Sequence, residues 1–180
     1  MTTPSDAIGL YIRAKDENRP HLVRRAFAPA ATATLTAPPG AVPLPADMAG
    51  REAIADALVR GFGRAFENVY TFCLSDPPEM EADRFSCDWL VAMTGKDDRV
   101  LRVGCGRYDW TFVPSRPRLV ERLAILLDRM ERLPTGYTEP VMDWVSALPY
   151  PWCPPAIALA GAPDLDGLAA IRERIAADAR

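Results

Sequence analysis

Residues 100–113, VLRVGCGRYDWTFV, constrain the fold more than any other part of the sequence. The segment is long, rich in residues that favour strands and free of proline. Because alternate residues of a strand point to opposite faces, two glycines and the aromatic residues share one face. That face carries Gly104, Gly106, Tyr108, Trp110 and Phe112. The pattern predicts the central strand of a curved sheet whose aromatic face is covered by helices.

Composition excludes several classes of protein. Nearly half of the 180 residues are hydrophobic and a quarter are charged, which is typical of one globular domain. The formal net charge is −3 and the charges are interspersed, so no basic patch suited to nucleic acid is present. The N-terminus does not resemble a secretory signal, and no apolar run approaches the roughly 18 residues of a membrane span. We expect a cytoplasmic protein that binds neither nucleic acid nor membranes.

Cysteine and histidine usage bears on metal sites and on redox state. The four cysteines, Cys73, Cys87, Cys105 and Cys153, are far apart in the sequence and form no Cys-x-x-Cys pair. Buried reduced thiols are therefore favoured over disulfides. His21 is the only histidine, which excludes a histidine-rich metal site and gives a zinc site little support. We expect no metal and no organic cofactor.

Helix and strand patterns follow one another in an order typical of an α+β fold. Apolar residues at helical spacing predict two short N-terminal helices, a third over residues 51–65 and a final amphipathic helix. Strands are predicted at residues 31–37, 67–74, 84–94, 100–113 and 118–130. The proline-rich residues 38–50 are expected to form an irregular loop, which either covers a site or is a surface insertion.

The first long hairpin has a register that the side-chain pattern selects. A turn at residues 97–98 pairs Trp89 with Gly106 on the aromatic face and Asp88 with Arg107 on the other. A slip of one residue would split the aromatic set between the two faces. Opposite charges directly across a sheet contribute roughly 0.2–1 kcal/mol, which favours the same register.

The next hairpin is predicted in the same way. It is expected to pair Asp109 with Arg122, which brings Glu121 beside Trp110 on the aromatic face. The charged face of the sheet would then be solvated or form a subunit interface. Because it also carries Leu90, Val103, Cys105 and Leu126, we expect it to form a homodimer interface.

Several segments in this order resemble the nuclear transport factor two-like, SnoaL-like superfamily, which has a cystatin-like cone fold. They are Tyr11 with Ala14 and Asp16, LVRRAFAPAA from residue 22, GREAIADAL from residue 50 and GRYDWTF from residue 106. The resemblance covers residues 5–132. It implies a curved, mostly antiparallel sheet wrapped around N-terminal helices as a cone-shaped barrel, an apolar cavity between them and usually a dimer.

The C-terminal part lies outside the resemblance. We expect a cone domain at residues 1–134 and, at residues 135–180, an extension with a proline-rich segment and a final helix. Residues 140–155 contain too much apolar area for a free tail, since burying one large side chain contributes roughly 1.5–3 kcal/mol. The extension should pack on the cone, with Trp144 or Trp152 anchored at the cavity mouth or on a partner subunit.

Catalytic residues of the superfamily match this sequence incompletely. Members similar to dehydratases and dehydrochlorinases use an aspartate late in the first helix with a histidine on the second strand. Asp16 lies near the position of that aspartate. The second strand offers Tyr70 or Thr71 and no histidine. Members similar to epoxide hydrolases suggest Asp88 and Asp128 as acids, although Ser86 stands where an arginine is expected and the predicted register points Asp88 away from the aromatic face.

The residues themselves indicate further candidates. Glu121 on the aromatic face would have a raised pKa and could transfer protons, unless it reaches water at the sheet end. Asp88 is favoured as an ion-pair partner of Arg107, and Asp128 as a strand-end surface residue. The predicted cavity lining is Tyr11, Trp89, Tyr108 and Trp110, with plain core aromatics as the alternative.

The resulting functional hypothesis is a protein that binds an apolar or aromatic small molecule. It could be a cofactor-independent acid–base enzyme of the isomerase, cyclase or hydrolase kind. The alternative is a non-catalytic ligand-binding or dimeric association module. Titratable groups that converge inside the cavity would favour the enzyme, and a purely apolar pocket would favour binding alone.

Overall fold

The computed structural model describes residues 2–178, which begin with two helical segments. Helix α1 spans Pro4–Asp16 and opens with a capping box. In this box the Thr3 hydroxyl accepts a hydrogen bond from the Asp6 N–H, and the Asp6 carboxylate accepts one from the Thr3 N–H. A 3-10 turn at Pro20–Leu22 leads into the short helix α2 at Val23–Ala26.

The remaining elements closely follow the predicted order. The strands are β1 (Phe27–Thr36), β2 (Asp47–Ala49), β3 (Phe66–Cys73), β4 (Arg84–Gly95), β5 (Leu101–Phe112) and β6 (Val120–Leu133). The helices are α3 (Arg51–Ile54), a π-helical segment (Ala55–Gly61), α4 (Phe62–Ala65), α5 (Thr138–Ser146), α6 (Pro155–Ala160) and α7 (Ala169–Asp178). Further 3-10 turns lie at Thr135–Tyr137 and Asp166–Leu168.

The six strands form one mixed sheet in the order β2-β1-β6-β5-β4-β3. Strand β1 runs parallel to β6, and all other neighbours are antiparallel. The N-terminal helices pack on one face, as expected for an α+β cone. The sheet is not closed into the expected barrel, since β2 and β3 are its two edges.

The predicted register of the first long hairpin is confirmed. Asp88 pairs with Arg107 and Trp89 with Gly106 along β4 and β5. Trp89 is buried in the core cluster that contains the N-terminal helices. The aromatic set therefore lies together on the helix-covered face, as the side-chain pattern required.

The predicted register of the second hairpin is wrong by two residues. Asp109 lies opposite Ala124 rather than Arg122, and Trp110 lies opposite Leu123. A shift of two residues leaves each side chain on its predicted face. The pairing shifts again between Thr111 and Phe112, at an irregularity that the sequence pattern did not reveal.

Residues 38–50 are less irregular than predicted. Their last part forms β2, which pairs with Thr32, Ala33 and Thr34 of β1. The prolines precede this strand, so they do not interrupt its hydrogen bonds. Val42 and Leu44, which lie among the prolines, turn inward and pack against the main core.

The C-terminal extension covers the sheet face opposite the N-terminal helices. A second core cluster forms there between Leu90, Val103 and Cys105 of the sheet and α5, α6 and α7. Trp144 is buried in it, and its indole N–H donates to the Ala158 carbonyl at 3.0 Å. The hairpin β4–β5 is consequently buried on both faces over residues 89–95 and 101–106.

This packing corrects the argument for a dimer through the sheet face. Leu90, Val103 and Cys105 are at most 2% exposed beneath the chain's own extension, whereas Leu126 is 38% exposed. Three of the four apolar residues that favoured an interface between subunits are therefore covered within one chain. A homodimer would have to use another surface.

We predict that Gly106→Ala destabilises the fold and that Gly9→Ala does not. A Cβ at residue 106 would overlap the Leu126 carbonyl oxygen and lie 2.8 Å from Cζ2 of Trp89, whereas a Cβ at Gly9 meets nothing within 4 Å. Overpacking of this kind costs about 1–3 kcal/mol or more. Glycine to alanine inside a helix contributes about 0.5–1 kcal/mol of stability. Urea unfolding of both variants measures the difference, and equal free energies would contradict the close packing at residue 106.

Candidate functional site

An apolar cavity lies between the N-terminal helices and the aromatic face of the sheet. It offers about 60 Å³ to a water-sized sphere. The lining residues come from α1, the helical stretch 51–65, the loop before β2 and five strands. They are Tyr11, Lys15, Leu35, Val42, Leu44, Leu58, Phe62, Thr71, Trp89, Val91, Met93, Tyr108, Ile125, Leu127 and Met130. Helices and strands thus fix most of the wall, and a loop supplies the rest.

Aromatic rings form one part of this wall. Trp89 and Tyr108 are stacked with ring centroids 5.4 Å apart, and Tyr11 meets Tyr108 edge to face at 6.4 Å. Trp110 meets Tyr11 edge to face with ring centroids 5.6 Å apart, but it is not among the residues that line the cavity. The indole N–H of Trp89 is buried and has no hydrogen-bond partner among the described residues.

Lys15 brings a positive charge to the cavity wall. Helical spacing puts it on the buried face of α1, together with Ile8, Tyr11 and Ile12. Its side chain is 7% exposed, and its Nζ lies 4.5 Å from the centroid of the Phe62 ring. A buried ammonium group is costly unless it is paired and hydrogen-bonded.

Asp16 and Thr71 supply that pairing. Lys15 Nζ lies 2.5 Å from Asp16 Oδ1 and donates to Thr71 Oγ1 at 2.7 Å. The Thr71 hydroxyl in turn donates to Asp16 Oδ1 at 2.8 Å. The Asp16 side chain is 3% exposed, so this is an ion pair largely removed from water. Helix α1 and β3 are fixed to each other at this point.

The second oxygen of Asp16 is also held. Its Oδ2 accepts the Thr71 backbone N–H at 2.7 Å and the Tyr150 hydroxyl at 3.0 Å. Tyr150 belongs to the C-terminal extension, so residues far apart in the sequence meet at one carboxylate. Each oxygen accepts two hydrogen bonds, which leaves Asp16 suited to anchoring Lys15 rather than to taking a proton.

The phenols of the cavity are neutral hydrogen-bonding groups. Burial, reinforced by the negative charge of Asp16, raises the pKa of Tyr11 far above its ordinary value. Burial and the neighbouring Tyr11 phenol also raise the pKa of Tyr108 well above its ordinary value. Both hydroxyls therefore keep their protons at neutral pH and can donate to a ligand.

The predicted acids occupy different places. Asp16 lies directly behind the cavity wall. Glu121 is exposed, because the pairing shift near Phe112 removes it from the aromatic face. Asp88 and Asp128 lie on the face under the extension, where Arg174 reaches both, at 3.4 and 2.9 Å. Arg107 approaches Asp88 at 3.9 Å, so these two acids take part in ion pairs that hold α7 to the sheet.

Of the predicted cavity residues, Tyr11, Trp89 and Tyr108 line the space. Two further residues of the site were not singled out from the sequence: Lys15 and Tyr150. Thr71 is one of the two residues that the second strand offers in place of the histidine expected from the resemblance. Lys15 could have been found, because the chain has only two lysines, Lys15 and Lys96, among 21 basic residues and Lys15 falls on an apolar helix face. No local signal marks Tyr150, which approaches the site only through the tertiary fold.

Within residues 2–178, no three or more histidine, cysteine, aspartate or glutamate side chains cluster so that they could hold a metal ion. No helix in the described part of the chain has the length and apolar character needed to cross a membrane.

An open sheet over helices with an apolar cavity between them defines an α+β cone. Comparison with solved structures identifies it as the nuclear transport factor 2-like fold. A superfamily protein from Salmonella enterica serovar Typhimurium matches with a TM-score of 0.53 and 17% identity, over 67% of this chain and 85% of that one. No family model and no curated protein matches the sequence.

Two other similar structures carry functional descriptions. A protein of ketosteroid isomerase-like fold from Catenulispora acidiphila, solved with trimethylamine, has a TM-score of 0.52 and 18% identity over 69% of this chain and 85% of that one. A hexachlorocyclohexane dehydrochlorinase, LinA type 2, has a TM-score of 0.56 and 11% identity, over 72% of this chain and 85% of that one. At such identities the likeness shows the fold.

We predict that the protein loses stability at alkaline pH. Burial raises the pKa of the Cys105 thiol to about 11, and the pKa values of Cys73, Tyr11 and Tyr108 are also raised. The unfolded chain releases these protons near ordinary pKa values of about 8.5 and 10, so it binds fewer protons than the folded chain above them. The contribution of these groups to the free energy of unfolding should therefore be complete below about pH 8. The free energy of unfolding should then fall as the pH rises toward about 11.

Urea unfolding at about pH 7.5 and pH 10 checks this expectation. Cys105→Ala is the matched variant, because it removes one of the responsible groups and should reduce the loss. A free energy of unfolding that stays constant across this range would contradict the prediction.

Proposed function

We propose that this protein binds a small, largely apolar or aromatic molecule in the cavity and that Lys15 donates a hydrogen bond to it. The observation that carries the proposal is the placement of an ammonium group in a wall that is otherwise almost entirely apolar. Burying an ion pair contributes little to stability by comparison with packed apolar residues. A pair retained at a cavity wall is therefore a candidate for function.

The polar groups of the cavity favour a ligand that accepts hydrogen bonds. An ammonium group has three N–H donors, and Asp16 and Thr71 account for two of those on Lys15. Trp89 adds a buried indole N–H without a partner. None of the described residues lining the cavity is a carboxylate or a histidine. A ligand oxygen would complete the pairing of these donors.

Charge favours an uncharged ligand. The Asp16 carboxylate offsets the Lys15 ammonium at 2.5 Å, so the pair is close to neutral as seen from the cavity. A ligand carboxylate would add a second buried anion near Asp16, and a ligand cation would approach Lys15. The aromatic faces of Trp89 and Tyr108 could attract an amine such as the trimethylamine bound by a structural neighbour, but the ammonium opposes it. Ketones, esters and lactones fit these constraints.

The size of the cavity limits the ligand in the observed state. Drug-sized ligands occupy roughly 300–1,000 Å³, whereas this cavity offers about 60 Å³. Its wall includes Val42 and Leu44, which belong to the loop between β1 and β2 rather than to a helix or strand. Movement of this loop is the route by which a larger molecule would be admitted.

Acid–base catalysis of the isomerase, cyclase or hydrolase kind is the second candidate. It is supported by the hydrogen-bonded chain from Lys15 through Thr71 to Asp16, since an ammonium group can stabilise negative charge that develops on a ligand oxygen. The name of a similar dehydrochlorinase points the same way. The titratable groups Lys15, Tyr11 and Tyr108 do converge in the cavity, which favours an enzyme. All three are hydrogen-bond donors, and no described residue of the lining is a carboxylate or histidine that could take a proton, so non-catalytic binding is the better supported form of the proposal.

Three cyclopentane derivatives of similar shape and different charge test the proposal. We expect cyclopentanone to bind more tightly than cyclopentanecarboxylate or cyclopentylamine, as measured by NMR titration of the Trp89 indole signal. Replacing both charges, in Lys15→Met with Asp16→Asn, avoids leaving one of them buried and unpaired. This variant should bind cyclopentanone about ten- to a hundredfold more weakly, because a hydrogen bond to a charged group contributes about 1.5–3 kcal/mol and each 1.4 kcal/mol is about a factor of ten.

Lys96→Met is the matched control, since Lys96 is exposed and lies outside the cavity. It should leave the affinity unchanged. Equal affinities of the Lys15 variant and this control would contradict a role for Lys15 in binding.

Homodimer formation also stays a prediction. It is supported by the resemblance, which usually implies a dimer, and by scattered exposed apolar residues such as Leu126. Sedimentation velocity at tens of micromolar protein tests it, and a single monomeric species would contradict it. We further expect a cytoplasmic location, because the four cysteines are buried free thiols.

A further inference from the structure

The C-terminal extension reaches the candidate site by passing around the edge of the sheet. After α5, residues 149–154 run beside β3, where the Cys73 N–H donates to the Pro151 carbonyl at 2.8 Å and the Cys153 N–H donates to the Cys73 carbonyl at 3.0 Å. These two bonds add a short parallel bridge to the edge strand. The bridge fixes the backbone on both sides of Trp152 and begins at Pro151, directly after Tyr150.

Tyr150 is placed by this bridge and by its own ring. The ring meets Phe72 edge to face at a centroid distance of 5.9 Å, and the hydroxyl donates to Asp16 Oδ2. The residue is 43% exposed, so its contact with Asp16 is made where the ion pair approaches the surface. Partial burial and the negative charge of Asp16 raise the pKa of Tyr150 far above its ordinary value, which keeps the hydroxyl a donor.

We propose that Tyr150 is a positioning residue of the candidate site and that the C-terminal extension is thereby part of it. The Asp16 carboxylate holds Lys15 through Oδ1, and its orientation depends on the two donors at Oδ2. One of those donors is the fixed backbone N–H of Thr71, and the other is the Tyr150 hydroxyl. The juxtaposition of Tyr150, Asp16 and Lys15 couples the extension to the ammonium group in the cavity.

Loss of the Tyr150 hydroxyl would leave Asp16 Oδ2 with one donor beside an open surface pocket. That pocket is lined by Asp16, Glu17, Asn68, Val69, Tyr70 and Tyr150 and holds about 480 Å³ of space for water. Water entering from it would compete for the carboxylate and let it turn away from Lys15. The position of Lys15 Nζ in the cavity wall would then be less well fixed.

The lysine content of the chain provides a direct readout. Lys15 and Lys96 are the only lysines, so protein labelled with ¹³C at the lysine ε carbon gives two signals. In Tyr150→Phe the ring contact with Phe72 is kept and only the partly exposed hydroxyl is removed, so the fold should persist. We expect the Lys15 signal to shift by more than its linewidth and the Lys96 signal to stay in place.

Two comparisons separate positioning from a general structural effect. Tyr137→Phe removes a hydroxyl elsewhere in the extension and should leave both signals unchanged. In an Asp16→Asn background, adding Tyr150→Phe should produce a much smaller shift of Lys15, because Tyr150 acts through the carboxylate.

Three outcomes would overturn the proposal. They are an unchanged Lys15 signal in folded Tyr150→Phe, equal shifts of Lys15 and Lys96, and the same effect of Tyr150→Phe with and without the Asp16 carboxylate. None of these measurements needs a ligand, so failure of the proposed binding function would leave this test intact.

Discussion

Burial of residues 89–95 and 101–106 of the β4–β5 hairpin on both faces is the constraint on which the rest of the structure depends. One face meets the N-terminal helices and carries the aromatic residues, and the other meets α5, α6 and α7. Gly106 permits this arrangement because its missing side chain leaves room for the Trp89 ring and for the β6 backbone. A sheet covered on both sides needs a second layer, and in this protein the extension of the same chain supplies it.

The charged residues on the two faces have different roles. Under the extension, Arg174 joins Asp88 and Asp128, which orients α7 beside the apolar residues of the second core. On the cavity side, Lys15 and Asp16 form a shorter and more completely buried pair. Apolar residues in place of Lys15 and Asp16 would pack with a smaller desolvation cost. Stability therefore accounts for the pair with Arg174 more readily than for the pair that borders the cavity.

Sequence patterns predicted much of the fold but little of the site, for identifiable reasons. The first hairpin has two-residue periodicity with aromatics on one face and opposite charges on the other, so only one register satisfied both. The second hairpin has aliphatic residues at alternate positions of β6, and a shift of two preserves that pattern, so the pattern did not fix the register. Glu121 was misplaced because of the further irregularity between Thr111 and Phe112, which no periodicity reveals. Lys15 was visible on an apolar helix face, but Thr71, which contacts it, and Tyr150, which contacts Asp16, reach the site only through tertiary contacts.

The Asp16 carboxylate is the point at which the two halves of the molecule meet. It ends α1, receives the backbone and the side chain of Thr71 from β3, and receives Tyr150 from the extension. The aromatic core and the second core lie on opposite sides of the sheet, and Trp152 of the extension packs against the aromatic core as well. A carboxylate at the sheet edge, accepting from both sides, can transmit a displacement of the extension to Lys15 because each of its bonds is short and directional. The extension thus packs mainly on the opposite face and is connected to the charge in the cavity wall through Tyr150 and Asp16.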